Sequence, residues 1–188
     1  MRTFVTCSLV LAVAAVAVAA ELKSGPQPDQ AIGPFDVVKC AGGTDDDVSV
    51  GEQLCYRCRY GNRPMVMVFT RAANDAVVAL TSKLNEEVAE HKDKKLSAFV
   101  NLIGDDNREA LEAQAKALAK KAKAEHVPLV VPVESANGPE DYSINPSAEV
   151  TVILAVRGKV KASLAFEPGK LDEAAVDAIV EQVDSLLE

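Results

Sequence analysis

The chain reads as an α/β protein with a mixed central sheet flanked by helices, and three observations predict this. From Met65 onward, short apolar runs alternate with stretches whose apolar residues recur at helical spacing, the pattern of parallel strands joined by crossover helices. Two β-rich runs, Val150–Val156 and Lys159–Phe166, are separated only by Arg157-Gly158, a tight hairpin that adds an antiparallel edge. A final amphipathic stretch, Leu171–Leu187, repeats apolar residues at Val176, Ile179, Val180, Val183 and Leu187 and closes the fold as a helix.

Residues 1–20 form an export signal by composition. Arg2 supplies the positive start and Phe4–Val18 is almost wholly apolar. Ala17-Val18-Ala19 and Val18-Ala19-Ala20 each offer a small-residue cleavage site before Glu21. An uncleaved anchor is the alternative, since the run is only slightly shorter than a bilayer span. Cleavage would remove Cys7 and release the remainder outside the cytosol, in a periplasm or the extracellular space. Residues 21–35, punctuated by Pro and Gly, read as an extended tether, and residues 36–188 as one folded domain.

Within that domain Asp36–Lys39 is a short strand, Ala41–Asp47 a loop, and Gln53–Tyr60 a strand or hairpin arm ending at the turn Gly61-Asn62-Arg63-Pro64. Met65–Thr70 is apolar throughout, as in a strand buried on both faces. Asp75–His91 follows as a helix through Val77, Val78, Leu80, Leu84 and Val88. Leu96–Ile103 is the next strand, and Asp106–Glu125 a helix with Leu111, Ala115, Leu118 and Ala122 on one stripe. Pro128–Val133 is a strand, and Glu134–Ser147 a long loop with a helical turn near Pro139–Tyr142.

A formal net charge of −8, with no basic stripe and no Trp, argues against binding nucleic acid or an anionic membrane surface. Beyond residues 1–20 no segment addresses the chain to a membrane. Asp45-Asp46-Asp47 lacks the spaced ligands of a calcium loop and reads as a solvated turn. Gly42-Gly43 lacks the spacing of a phosphate loop, and Ser143 and Ser147 lie in no nucleophile elbow. His91 fits a favourable contact with a helix end and His126 a boundary position. Met65 and Met67 alternate within a strand and read as core.

Chemistry concentrates on sulfur. After cleavage three cysteines remain: Cys40, Cys55 and Cys58. Cys55 and Cys58, two residues apart, can close a small disulfide ring of a kind often strained and reducible. Arg57, Arg59 and Arg63 surround them with positive charge that favours thiolate. The more exposed cysteine then attacks and the other resolves, with Cys55 as the assigned attacker and Cys40 available for an alternative pairing. Two other readings use the same atoms. One is a structural disulfide, and the other a metal knuckle completed by Cys40 with His91 or His126, although a closed zinc site needs four ligands.

The order strand, helix, strand, helix, hairpin, helix resembles the thioredoxin superfamily. The extra strand Pro128–Val133 before Tyr142-Ser143-Ile144 is similar to the redoxin branch, the peroxiredoxins and exported thioredoxin-like proteins. Leu96–Ile103, Asp105 and His126-Val127-Pro128-Leu129 echo the same branch. The resemblance implies a thioredoxin-like fold with a strand–helix–strand insertion of redoxin type, covering Asp36 to the C-terminus. Two positions depart from it. The place of the family's catalytic cysteine, after Phe69-Thr70, holds Arg71-Ala72-Ala73-Asn74. Val150 stands where a cis-proline usually precedes the hairpin strand, with Pro146 four residues too early. A non-proline cis bond costs about 2.5–4 kcal/mol, so Val150 is expected in trans. The family's usual active site is therefore expected to be absent.

The function that follows is an exported thioredoxin-like protein acting as an atypical thiol–disulfide oxidoreductase through Cys55 and Cys58. It would take electrons from a thiol protein partner and need no bound cofactor. The alternatives are a non-catalytic binding or scaffold module with a structural disulfide, and a metal-binding accessory protein.

Overall fold

The computed structural model describes residues 22–104, 107–134 and 136–188. The expected leader with its Cys7, and Asp105 and Asp106, lie outside the described residues. Seven strands make one sheet: β1 (Val37–Gly42), β2 (Gln53–Leu54), β3 (Met65–Thr70), β4 (Ser97–Leu102), β5 (Pro128–Pro132), β6 (Val150–Val156) and β7 (Lys159–Phe166). Four helices join them: α1 (Tyr56–Tyr60), α2 (Asp75–Glu90), α3 (Arg108–Ala122) and α4 (Glu173–Leu186). The spatial order is β2-β1-β5-β4-β3-β6-β7, with β3, β4 and β5 mutually parallel and the remaining pairs antiparallel.

The two crossovers β3–α2–β4 and β4–α3–β5 step the same way along the sheet. Because such connections are right-handed, both helices fall on one face. α4 packs beside α2 on that face. Val66, Val68, Val100 and Val152 meet Leu84, Leu118 and Ile179 there. The opposite face carries Met65, Met67, Phe69, Phe99 and Ile153 and has no long helix over it. It is covered by α1, by the N-terminal arm and by the turn Glu140–Tyr142. Both faces of β3 are buried, which is why its sequence shows no alternation.

Residues 22–35 run against the sheet. The Ser24 hydroxyl lies 2.6 Å from that of Thr151, and the Ser24 carbonyl accepts from Ser163 at 2.7 Å. Ala31 bridges to Lys159, and Ile32 is buried. Among the described residues no helix is long and apolar enough to cross a membrane.

Three segments differ from the sequence expectation. β1 continues to Gly42, into the expected loop, and carries a bulge between Lys39 and Ala41 in its register with β5. α3 stops at Ala122, where Lys123 turns into the left-handed region (φ 52°) and its N–H closes back on the Ala119 carbonyl. The expected strand or hairpin arm Gln53–Tyr60 is a two-residue strand followed by helix α1. Tyr56 and Tyr60, one turn apart, are both buried with ring centroids 5.5 Å from each other, and Gly61 ends the helix at φ 61°.

Candidate functional site: a disulfide helix on the sheet edge

Cys55 and Cys58 are joined in a disulfide with Cα atoms 5.2 Å apart. Cys55 is the N-cap of α1: its backbone is extended, and its sulfur accepts the Cys58 N–H at 3.0 Å, where Ser or Asp would normally place an oxygen. The pair thus opens a helix after all, though one lying before β3 rather than after it. Cys58 is exposed and Cys55 half-buried. By residue exposure Cys58 is the more open of the two, whereas the sequence reading assigned the attack to Cys55.

The helix is anchored by a polar cluster that the sequence reading missed. Lys39 points from β1 toward α1 and is only 2% exposed. Its ammonium donates to the carbonyls of Gly43 (2.7 Å) and Val48 (2.9 Å) and to the Asp46 carboxylate (2.6 Å), which uses all three of its protons. The second Asp46 oxygen accepts the Tyr56 hydroxyl, and the Asp46 carbonyl accepts from Arg59. Burial, then the Asp46 carboxylate, push the Tyr56 phenol up, so it remains a donor. The acidic triplet is a turn with Asp45 and Asp47 exposed, as expected, but it is not wholly solvated. Asp46 is its inward residue, and Asp45 meets His126 at 2.8 Å and Lys92 at 3.6 Å.

The expected positive surroundings exist in part. Arg57 is half-buried and donates to the Ile32 carbonyl at 3.1 Å, while Arg59 is exposed. Both guanidinium groups bond carbonyls, so these contacts leave their charge uncompensated. A cleft of about 520 Å³ opens beside α1, lined by Arg59, Tyr60 and Arg63 from this side and by Asp45, Lys92 and His126 across it.

Cys40 takes no part. It faces the layer of α2, α3 and α4, so the sheet lies between it and the disulfide, and the alternative pairing expected of it has no path in this arrangement. Burial, then Glu112, push its thiol up to about 11. The histidines do not join the sulfurs either. His126 sits on Asp45, and His91 caps α2 between Glu87 and Asp184.

After β3, where the resemblance would place a catalytic cysteine, stands an arginine brace. The Arg71 N–H donates to Glu149 O at 2.9 Å, and its guanidinium reaches Ala148 O (3.1 Å), Ala136 O (3.2 Å) and the Asn137 side chain. Gly104, at φ 102°, makes room for it, since a Cβ there would stand 3.1 Å from Arg71 Cγ. Asn74 caps α2 and also donates to the Glu149 carboxylate at 3.1 Å. There is no cis peptide bond among the described residues, and Val150 pairs with Thr70 as an ordinary strand residue.

The architecture is the thioredoxin-like fold in its redoxin form. No family model matches the chain, and a search of curated proteins found no match. Solved structures do match. A putative thiol:disulfide interchange protein DsbE from Chlorobium tepidum aligns with a TM-score of 0.58 at 15% identity, over 89% of this chain and 100% of that one. A putative protein disulfide isomerase from Bacteroides thetaiotaomicron gives 0.60 at 17% identity, over 88% and 94%. Peroxidoxin BcpB from Mycobacterium tuberculosis gives 0.55 at 13%, over 85% and 97%. At these identities the likeness establishes the fold.

Proposed function

We propose that this protein is an exported thiol–disulfide oxidoreductase of atypical layout, exchanging disulfides with a thiol protein through Cys55 and Cys58. The observation that carries the reading is the asymmetry of the pair: an exposed Cys58 bonded to a half-buried Cys55, whose sulfur already accepts the Cys58 N–H at 3.0 Å. A partner thiolate attacks Cys58 Sγ and the Cys55–Cys58 bond breaks. Cys55 leaves as a thiolate, whose charge that N–H stabilises, and a better-stabilised thiolate leaves faster. A second partner thiol then attacks the mixed disulfide and releases Cys58. Two electrons and two protons pass from the partner dithiol to the cysteine pair, and the reverse sequence restores the disulfide. The export signal expected at residues 1–20 supports a compartment where such disulfides persist.

The test is a redox titration followed by mass spectrometry, with trapping by single serine variants. A potential well above about −300 mV and a mixed disulfide trapped on Cys58 in Cys55→Ser support exchange. If the disulfide instead resists reduction and the double serine variant only loses stability, the pair is a brace and the protein a scaffold.

A further inference from the structure

We propose that Glu87, His91 and Asp184 form a zinc-type divalent cation site that ties α2 to α4, independent of the cysteines. Glu87 and His91 stand one turn apart at the end of α2, and Asp184 comes from the last turn of α4. One ligand atom from each lies within 4.8 Å of the others. His91 Nε2 is 3.4 Å from Glu87 Oε2 and 3.6 Å from Asp184 Oδ1. Both separations exceed the 2.7–3.2 Å of an N–H···O hydrogen bond. They match the distance between neighbouring ligands of a tetrahedral Zn²⁺, about 3.3–3.4 Å when each bond is about 2.0–2.1 Å.

The donor set decides the ion. One imidazole with two carboxylates suits Zn²⁺ and its transition-metal neighbours, whereas Ca²⁺ and Mg²⁺ prefer oxygen alone. A water completes the coordination, and the ion enters from the side of Asp184, the most open of the three side chains at 59% exposure. The site answers an electrostatic imbalance, since two carboxylates converge on a single imidazole. A cation between the two carboxylates would remove their mutual repulsion. The brace would join the two helices where Val88, Ile179 and Val183 already share one apolar cluster.

The experiment uses chelator-stripped full-length protein titrated with Zn²⁺ by calorimetry and, in parallel, with Co²⁺ by visible absorption. Expected are one-to-one saturable binding at micromolar Zn²⁺, a raised melting temperature, and tetrahedral Co²⁺ bands without thiolate charge transfer. His91→Ala and the exposed Asp184→Asn should each weaken binding at least about tenfold. A variant with Cys40, Cys55 and Cys58 all replaced by Ser should bind as wild type. Binding unchanged in Asp184→Asn, a thiolate charge-transfer band, or no saturation at micromolar Zn²⁺ would each overturn the site. None of these outcomes depends on whether the disulfide exchanges with a partner.

Discussion

Tyr56 and Asp46 hold the disulfide helix to the sheet: the tyrosine hydroxyl donates to one carboxylate oxygen while the other, 2.6 Å from Lys39 Nζ, pairs with an ammonium on β1. One side chain thus connects the first strand, the acidic loop and the residue next to Cys55. The disulfide rides on a buried ion pair.

That linkage sets the first prediction. Tyr56→Phe removes a hydrogen bond to a charged acceptor and should cost about 1.5–3 kcal/mol in urea unfolding. Lys39→Met leaves Asp46 without its cation and should cost about 3–5 kcal/mol. Because both act on Asp46, the double variant should depart from additivity by at least about 0.5 kcal/mol. Strictly additive losses would show that the two contacts are energetically separate.

The cysteines should react in a fixed order after reduction: Cys58 first, Cys55 more slowly, Cys40 not at all until the protein unfolds. With its thiol near 11, Cys40 is ionised in roughly one molecule per thousand at pH 8. Its burial at 3% exposure also blocks the reagent. Timed alkylation with peptide mass mapping checks the order, and early labelling of Cys40 in native protein would contradict the placement of its side chain.

Much of this architecture was legible in the residues, and the exceptions have physical causes. Met65–Thr70 announces itself because burial on both faces demands an unbroken apolar run, and the hairpin at Arg157-Gly158 is too short to be anything else. α1 was misread because Tyr56, Cys58 and Tyr60 satisfy a strand's period of two, while Tyr56 and Tyr60 satisfy a helix's spacing of four equally well. Gly61 as a helix stop was the one local cue that separates the two readings. The cysteine pair itself was plain, but its asymmetry was not: Cys55 becomes the half-buried member as the cap of α1. Asp46 could not be told from Asp45 and Asp47, because only the arrival of Lys39 and Tyr56 from elsewhere makes it the inward member. In the same way Glu87 and His91 show their spacing on one helix, whereas Asp184 meets them only through packing of α4.

Asp45 should contribute acid-sensitive stability. Burial alone would raise its carboxyl, but the hydrogen bond and charge of His126 outweigh burial and hold it below the usual carboxylate range. A carboxyl lowered by folding stabilises above its unfolded value, near 3.9, and that contribution fades as pH falls through the folded value. Asp45→Asn should therefore be less stable than wild type at pH 7, with the gap closing below about pH 4. The side chain is half-exposed, so the effect should be small and weaken with added salt. Unfolding curves at pH 7 and pH 3 decide it; a gap that persisted at pH 3 would point to a steric cause.

Arg71 should matter to the fold and not to the disulfide. Its guanidinium ties the end of β3 to the carbonyls of Ala136 and Ala148, so Arg71→Ala should release the 136–148 loop, seen as faster amide exchange there. Net destabilisation should fall at about 0.5–1.5 kcal/mol, the net worth of a hydrogen bond, since the carbonyls released are part-buried at Ala148 and exposed at Ala136. The cysteine pair follows β2, at the far edge of the sheet and four strands from β3, about 19 Å at about 4.8 Å per strand and beyond a Debye length at physiological salt. Its reduction potential should consequently stay within about 10 mV of wild type, under half of the tenfold change in equilibrium constant that about 30 mV represents. A larger shift would mean that the Arg71 end of β3 and the cysteine pair are coupled across the sheet.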